Sequence, residues 1–245
     1  MWNWAENQIE LYLIRHGMTL GNVEHRYIGR QTDEPLSEDG RQQLEKRKDQ
    51  WAQVCRTWDM PYVFVSPMIR CRQTAEILFP QIPQIEIDPW REMDFGEFEE
   101  KNYAQLNGDP RYQAWIDSRG DHDIPGRREI RKNSVKRCVR GFEKVIKECR
   151  HDQIKSVAVV AHGGTIMSIM DRYARDENGQ PDGSYYDYQV KNGEGYELII
   201  ADVSSGDGRI CAGSDIWRSG VAVSSGENDR SFDLRGGKNY KKLIP

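Results

Sequence analysis

Leu11-Tyr12-Leu13-Ile14-Arg15-His16-Gly17 is an apolar run that ends in a guanidinium, an imidazole and a glycine. Such a run predicts a strand buried on both faces, as in a parallel sheet covered by helices. Open α/β sheets place their ligands at the carboxyl ends of the strands, which is where Arg15 and His16 fall. A second segment repeats the arrangement, with Val157-Ala158-Val159-Val160-Ala161 followed by His162-Gly163-Gly164. A single Arg-His-Gly is weak evidence, because a satisfied surface or core histidine is the commoner outcome. Two strand-end histidines, each followed by glycine, point to a phosphoryl-transfer site built on histidine.

Working outward, strand and helix signals alternate. Ile9–Ile14 reads as a strand. Ser37 caps a helix with Glu38 and Asp39 in its first turn, running to the Leu44/Trp51 region. Tyr62–Val65 is the second strand, after which Pro67 is expected at the first position of a helix. Ile82–Ile87, flanked by Pro80, Pro83 and Pro89, predicts a short edge strand. From about Arg128 to Cys149, apolar residues recur at three- and four-residue spacing (Val135, Cys138, Val139, Phe142, Val145, Ile146), the mark of a long amphipathic helix. Val157–Ala161 is a strand, Thr165–Tyr173 a helix, and Tyr196–Ile200 is expected to close the sheet. The class is therefore α/β, a three-layer sandwich around a mostly parallel sheet. One domain is expected over residues 1–203, with an insertion at 93–127 over the functional edge. Residues 204–245, rich in Ser, Gly and charge, read as a C-terminal extension without an assignable role, ordered if anywhere around Ile216-Trp217.

Composition narrows the classes. The chain has 245 residues, 37% hydrophobic and 30% charged, with a net charge of -4. That balance argues against nucleic-acid binding by phosphate neutralisation. No stretch approaches the roughly 20 apolar residues of a membrane span, and Met1–Glu6 lacks the features of a secretory signal. The five cysteines form no CxxC pair and read as reduced packing thiols. These features together predict a cytoplasmic protein.

The chemistry follows from charge. Arg15 beside His16 disfavours imidazolium, keeping the ring neutral and nucleophilic, and its guanidinium can grip phosphate oxygens. Arg70, in Ser66-Pro67-Met68-Ile69-Arg70-Cys71-Arg72-Gln73-Thr74-Ala75, falls in the first turn of a helix after the second strand, where the helix N-terminus adds positive charge. Glu92, in Trp90-Arg91-Glu92-Met93-Asp94-Phe95-Gly96, stands among aromatic residues that would hold it protonated as a general acid. For each of these the bland alternative is a solvated helix charge or a loop salt bridge.

The blocks Leu13–Asn22, Ser66–Ala75, Arg91–Gly96 and Ala161–Gly164 resemble, in order, those of the histidine phosphatase superfamily, the phosphoglycerate mutase-like family. The resemblance covers about residues 9–202. It implies His16 as the phosphorylated nucleophile, Arg15, Arg70 and His162 as the cationic phosphate pocket, and Glu92 as proton donor to the leaving group. It further implies substrate contacts from Asn22, from Gly29 in the first loop and from the Gly163 backbone. Arg127 and Arg128 lie where they could reach an anionic substrate. Departures include Met18 after Arg-His-Gly, Ile28 where mutases carry a hydroxyl, and Pro125-Gly126-Arg127-Arg128-Glu129-Ile130 in place of Pro-Gly-Gly-Glu-Ser. With its short insertion the chain looks nearest the α-ribazole phosphatase and broad-specificity phosphatase branch.

The expected activity is a metal-independent phosphoric monoester hydrolase acting, without a cofactor, on a small phosphorylated metabolite. That metabolite would be α-ribazole phosphate-like, or a sugar or glycerate phosphate, and a homodimer is possible. The alternatives are a cofactor-dependent phosphoglycerate mutase and a non-catalytic binder of phosphorylated ligands. A nucleic-acid patch along Arg128, Lys132, Lys136, Arg140 and Lys144 reads instead as a solvated helix face. His25, His122 and His151 form no ligand motif of the HExxH kind.

Overall fold

The computed structural model describes residues 8–55, 60–201 and 238–244. Its elements, in order, are β1 (Gln8–Arg15), α1 (Leu20–Val23), α2 (Glu38–Val54), β2 (Val63–Val65), α3 (Ile69–Leu78), β3 (Gln84–Glu86), α4 (Tyr103–Leu106), α5 (Pro110–Asp117), α6 (Arg131–His151), β4 (Ser156–Ala161), α7 (Gly163–Tyr173), β5 (Gly195–Ala201) and β6 (Tyr240–Leu243). The strands form one sheet in the order β3-β2-β4-β1-β5-β6. β3, β2, β4 and β1 run parallel, whereas β5 is antiparallel to both its neighbours.

Side-chain alternation along the central strands divides the core between two faces. Leu11, Leu13, Val157 and Val159 pack with Phe142, Val145 and Ile146 of α6 and Ile166, Ile169 and Met170 of α7. Tyr12, Ile14, Ala158 and Val160 pack with Leu44 and Trp51 of α2 and Cys71, Ala75 and Leu78 of α3. Every residue of β4 is buried, so its apolar run carries no polar alternation. Burying a side chain of Leu, Ile or Phe size stabilises by about 1.5–3 kcal/mol, and the two faces together hold the three layers in register. Cys55, Cys71, Cys138 and Cys149 are free and buried.

Several boundaries differ from the sequence expectation. Ser37 does cap α2, its Oγ accepting the Gly40 N–H at 3.0 Å. Pro67, however, lies ahead of α3, and the helix begins at Ile69 behind Met68. The Ile69 N–H is donated to Asp33 Oδ1 at 2.8 Å, so a side chain from a distant loop fixes where the helix starts. The long helix begins at Arg131 rather than Arg128, behind Ile130, and the Arg128 N–H is donated to Asp94 Oδ2 at 3.1 Å. Tyr196–Ile200 is a strand but does not close the sheet. β6 pairs outside it, from Gly195 opposite Leu243 to Leu198 opposite Tyr240. Ile216-Trp217 lies outside the described residues.

The 93–127 segment builds a third, smaller core of Phe98, Leu106, Tyr112, Trp115 and Ile124. Tyr27 of the first loop enters it, meeting the Trp115 ring edge-on and bonding Tyr112 Oη at 2.8 Å. The insertion is thereby docked on the loop that follows β1. Among the described residues no helix is long and apolar enough to cross a membrane.

Candidate active site

His16 and His162 each follow the last residue of a central strand. β1 and β4 are adjacent and parallel, with Arg15 opposite Ala161, so the two imidazoles come together. Their ring centroids are 5.3 Å apart at 66°. β2 lies on the far side of β4, and Arg70, the second residue of α3, enters from there. Glu92 follows β3, its Oε2 3.9 Å from His162 Nδ1. The five residues singled out for chemistry thus converge at one end of four neighbouring parallel strands.

His16 is buried, with Nδ1 2.7 Å from the Gly17 carbonyl. A carbonyl only accepts, so Nδ1 carries the hydrogen and Nε2 the lone pair. Burial, then the charges of Arg70 and Arg15, push the His16 pKa well below the ordinary imidazole value. His162 is lowered likewise, first by burial and then by Arg70, His16 and Arg15. Its Nε2 lies 2.8 Å from Ser66 Oγ, and Ser66 Oγ accepts the Met68 N–H at 3.4 Å. The Ser66 contact holds the His162 ring with Nδ1 on the side of Glu92. Glu92 moves the opposite way. Burial raises its pKa, outweighing the Met93 N–H bond at 2.8 Å and the charges of Arg70 and Arg15.

Arg70 is fully buried and makes no ion pair among the described residues. Its Nη1 donates to Thr32 O at 3.0 Å and Nη2 to Gly29 O at 3.3 Å, while Nε has no partner among those residues. Arg15 is half-buried, with Nη1 donated to Val190 O at 2.7 Å and a buried Nε unmatched among the described residues. A buried guanidinium without a counter-charge is costly unless an anion satisfies it. α7 adds further donors, since His162 gives its N-terminus no side-chain cap and Gly163 stands at its first position. A Cβ on Gly164 would come within 2.7 Å of Glu92 Oε1, so glycine there gives the carboxyl its place.

The peripheral candidates separate. Asn22 Oδ1 accepts from Thr19 N at 3.2 Å and from Asn192 Nδ2 at 3.0 Å. With both contacts on the oxygen, the amide nitrogen of Asn22 remains to donate. Gly29 supports Arg70 through its carbonyl and is pressed against the 93–99 loop, where a Cβ would lie 2.6 Å from Met93 O. Arg127 and Arg128 do not act as a pair. Arg127 donates Nε to Glu129 O and buries both Nη atoms without partners among the described residues, whereas Arg128 is exposed.

Several residues here carry no signal in the sequence. Asn192 Nδ2 donates to His16 O at 3.1 Å and Gly17 O at 3.3 Å as well as to Asn22. Thr74 Oγ1 accepts the Gly17 N–H at 2.9 Å. Arg137 of α6 donates to the carbonyls of Pro89 and Arg91, at 2.5 and 2.9 Å, and steadies the loop that carries Glu92. The strand-end position of Ser66 was the one available hint. Among the described residues no group of three or more His, Cys, Asp or Glu side chains is arranged to hold a metal ion.

The family model for the histidine phosphatase superfamily (branch 1) matches residues 11–202. A 2,3-bisphosphoglycerate-dependent phosphoglycerate mutase 2 of Gloeobacter violaceus is 30% identical over 173 residues, spanning 65% of this chain and 73% of that protein. Phosphoglycerate mutase-like protein 4 of Arabidopsis thaliana is 27% identical over 168 residues, spanning 66% and 70%. Among solved structures, a putative alpha-ribazole-5'-P phosphatase from Escherichia coli superimposes with a TM-score of 0.66 at 26% identity. It covers 78% of this chain and 90% of its own.

Proposed function

Since this chain belongs to the histidine phosphatase superfamily, we propose that it is a phosphoric monoester hydrolase acting through a phosphohistidine on His16. The observation that carries the reading is the pair of guanidiniums, buried Arg70 and half-buried Arg15, whose Nε atoms are buried without a partner among the described residues, beside an imidazole with its lone pair on Nε2. His16 Nε2 attacks phosphorus in line as the ester P–O bond breaks. The departing alkoxide takes the proton of Glu92. Water then gives a proton to the Glu92 carboxylate as its oxygen attacks phosphorus, the P–N bond breaks, and phosphate leaves. Arg15, Arg70 and His162 oppose the negative charge on the transferring oxygens, and such positioned donors supply most of the rate in phosphoryl transfer.

The substrate is a small phosphorylated metabolite, α-ribazole phosphate-like or a sugar or glycerate phosphate, in keeping with the Escherichia coli structural neighbour. The named mutase relatives favour a second reading, phosphoglycerate isomerisation at the same histidine. Replacing His16 by alanine abolishes turnover of p-nitrophenyl phosphate, and a brief exposure of the wild type leaves an acid-labile, base-stable phosphoprotein. Turnover of His16→Ala at the wild-type rate overturns the assignment. Every group used above belongs to the chain, so activity persists after exhaustive chelation. Loss on chelation with recovery on adding one divalent ion contradicts this.

A further inference from the structure

Glu92 ends a strap whose three preceding carbonyls are all taken by side chains of α6 and α7. Pro89 O and Arg91 O accept from Arg137 Nη1 at 2.5 and 2.9 Å, and Trp90 O accepts from Thr165 Oγ1 at 3.4 Å. We propose that Arg137 is a positioning residue for proton transfer, holding the strap so that the Glu92 carboxyl stands at the leaving oxygen. The inference rests on the hydrolase reading and names the residue through which the general acid of that site is kept in place.

The bonding of Arg137 is that of a brace and not of a phosphate grip. A guanidinium carries five N–H donors in a rigid fork. Here Nε donates to Glu129 Oε2 at 3.0 Å and Nη1 to the two strap carbonyls, while Nη2 donates to Glu129 Oε1 and to Ser134 Oγ, the latter at 3.1 Å. Every donor is spent on the protein. Arg15 and Arg70 differ, since their Nε atoms are unmatched among the described residues. The Arg137 and Glu129 side chains are only 15% and 13% exposed, so solvent screens their ion pair weakly. The helix beneath is shaped to receive the strap. Trp90 Nε1 donates to Cys138 O at 3.2 Å, and a Cβ on Gly141 would come within 2.9 Å of Pro89 and Trp90.

Glu92 depends on such a brace because its own side chain is lightly held. Among the described residues its carboxyl accepts one hydrogen bond, from Met93 N at 2.8 Å, and Oε2 stands 3.9 Å from His162 Nδ1. The carboxyl is therefore placed by its backbone, and the backbone by the strap. A misplacement of about 1 Å can cost on the order of 10²-fold in rate. The charge of Arg137 is a lesser influence: burial acts first on the Glu92 pKa, and Arg137 follows Met93 N, Arg70 and Arg15. Geometry is what its removal would disturb most.

The test compares phenyl phosphate with p-nitrophenyl phosphate in Arg137→Met, in Arg137→Lys and in the paired Glu129→Gln/Arg137→Met. The pair leaves no carboxylate unmatched, so it keeps the test readable if Arg137→Met alone does not fold. Phenolate needs a proton on leaving and nitrophenolate does not. The ratio of the two kcat values within one protein therefore reports proton delivery, whatever the general loss of activity. Arg137→Met and the pair lower the phenyl-to-nitrophenyl ratio at least about tenfold, part of the roughly 10²–10⁴-fold that a general acid contributes. Arg137→Lys, which keeps the charge and a donor for the carbonyls, gives a ratio between theirs and that of the wild type. Added to Glu92→Gln, Arg137→Met lowers the ratio no further, and vanadate inhibits each variant at wild-type strength. A ratio unmoved in Arg137→Met and in the pair, or lowered again on top of Glu92→Gln, overturns the proposal. Phosphate released from neither ester by the wild type sinks the hydrolase reading, and the brace is then read by hydrogen–deuterium exchange. Faster exchange confined to residues 88–96 in Arg137→Met keeps the brace, and exchange at the wild-type rate removes it.

Discussion

His16 and Glu92 share one pocket, and the same burial moves them in opposite directions, the imidazole down and the carboxyl up. Both shifts favour the neutral form, which is what a nucleophile and a general acid require. The sign of the pH dependence follows. Rate rises with pH only through the lowered His16 pKa, so the acid limb lies below ordinary imidazole titration. It falls as pH rises through the raised Glu92 pKa, so the basic limb lies above ordinary carboxyl titration. Glu92→Gln removes the basic limb and slows alkyl phosphates by about 10²–10⁴-fold, the usual worth of general acid catalysis. It slows p-nitrophenyl phosphate much less, because that leaving group departs without a proton. Equal losses on both esters in steady-state assays would assign Glu92 to water activation or to structure. The Asn192 amide holds the His16 and Gly17 carbonyls and fixes Asn22 so that the Asn22 nitrogen remains to donate. Asn192→Ala lowers kcat and weakens vanadate inhibition together, with the thermal unfolding midpoint little changed. Vanadate inhibition at wild-type strength would show that Asn192 does not set the anion pocket.

Among the elements, β6 is the one with the least warning in sequence and a clear anchor in structure. Asn239 accepts the Arg175 N–H at 2.7 Å and donates to Tyr173 O at 3.0 Å and Ile199 O at 3.4 Å. Tyr240 adds an O–H bond to Asp182 at 2.6 Å. Asn239→Ala leaves buried backbone groups unmatched, at a cost of about 1–3 kcal/mol for each unsatisfied group. Urea denaturation checks this through a lower midpoint at unchanged slope, and an unmoved midpoint would mean β6 is not bound in this way. Periodicity revealed the long elements because α6 and β4 bury whole faces, and burial writes itself into residue type. It could not reveal a four-residue strand in a Ser- and Gly-rich tail, nor a helix start set by Asp33 from a separate loop. At the site, charged and imidazole side chains at strand ends were legible from sequence. Asn192 and Thr74 were not, since a neutral hydrogen-bonding residue has no sequence signature until its partners are placed. Arg127 and Arg128 are neighbours in sequence, yet one is held by the Glu129 carbonyl and the other left exposed.

At the scale of the whole molecule, the open question is whether water or a returning product takes the phosphoryl group from His16. An isomerase has to keep the displaced product beside phosphohistidine, let it turn, and exclude water meanwhile. That demands dedicated anion groups for both ends of the substrate and a cover over them. The cover is modest: α4 and α5 enclose their own aromatic core with Tyr27, and Arg127 donates its Nε to the Glu129 carbonyl. Ile28 offers no hydroxyl to the turning intermediate, and it is buried. Water should therefore reach the phosphohistidine sooner than a product can reorient. With 3-phosphoglycerate, in the presence and absence of 2,3-bisphosphoglycerate, free phosphate should form faster than 2-phosphoglycerate under both conditions. The two products are followed in the same reaction, so a slow enzyme still reports their ratio. Isomer forming faster than phosphate, and only when the bisphosphate is supplied, would assign the chain to the mutases it resembles in sequence.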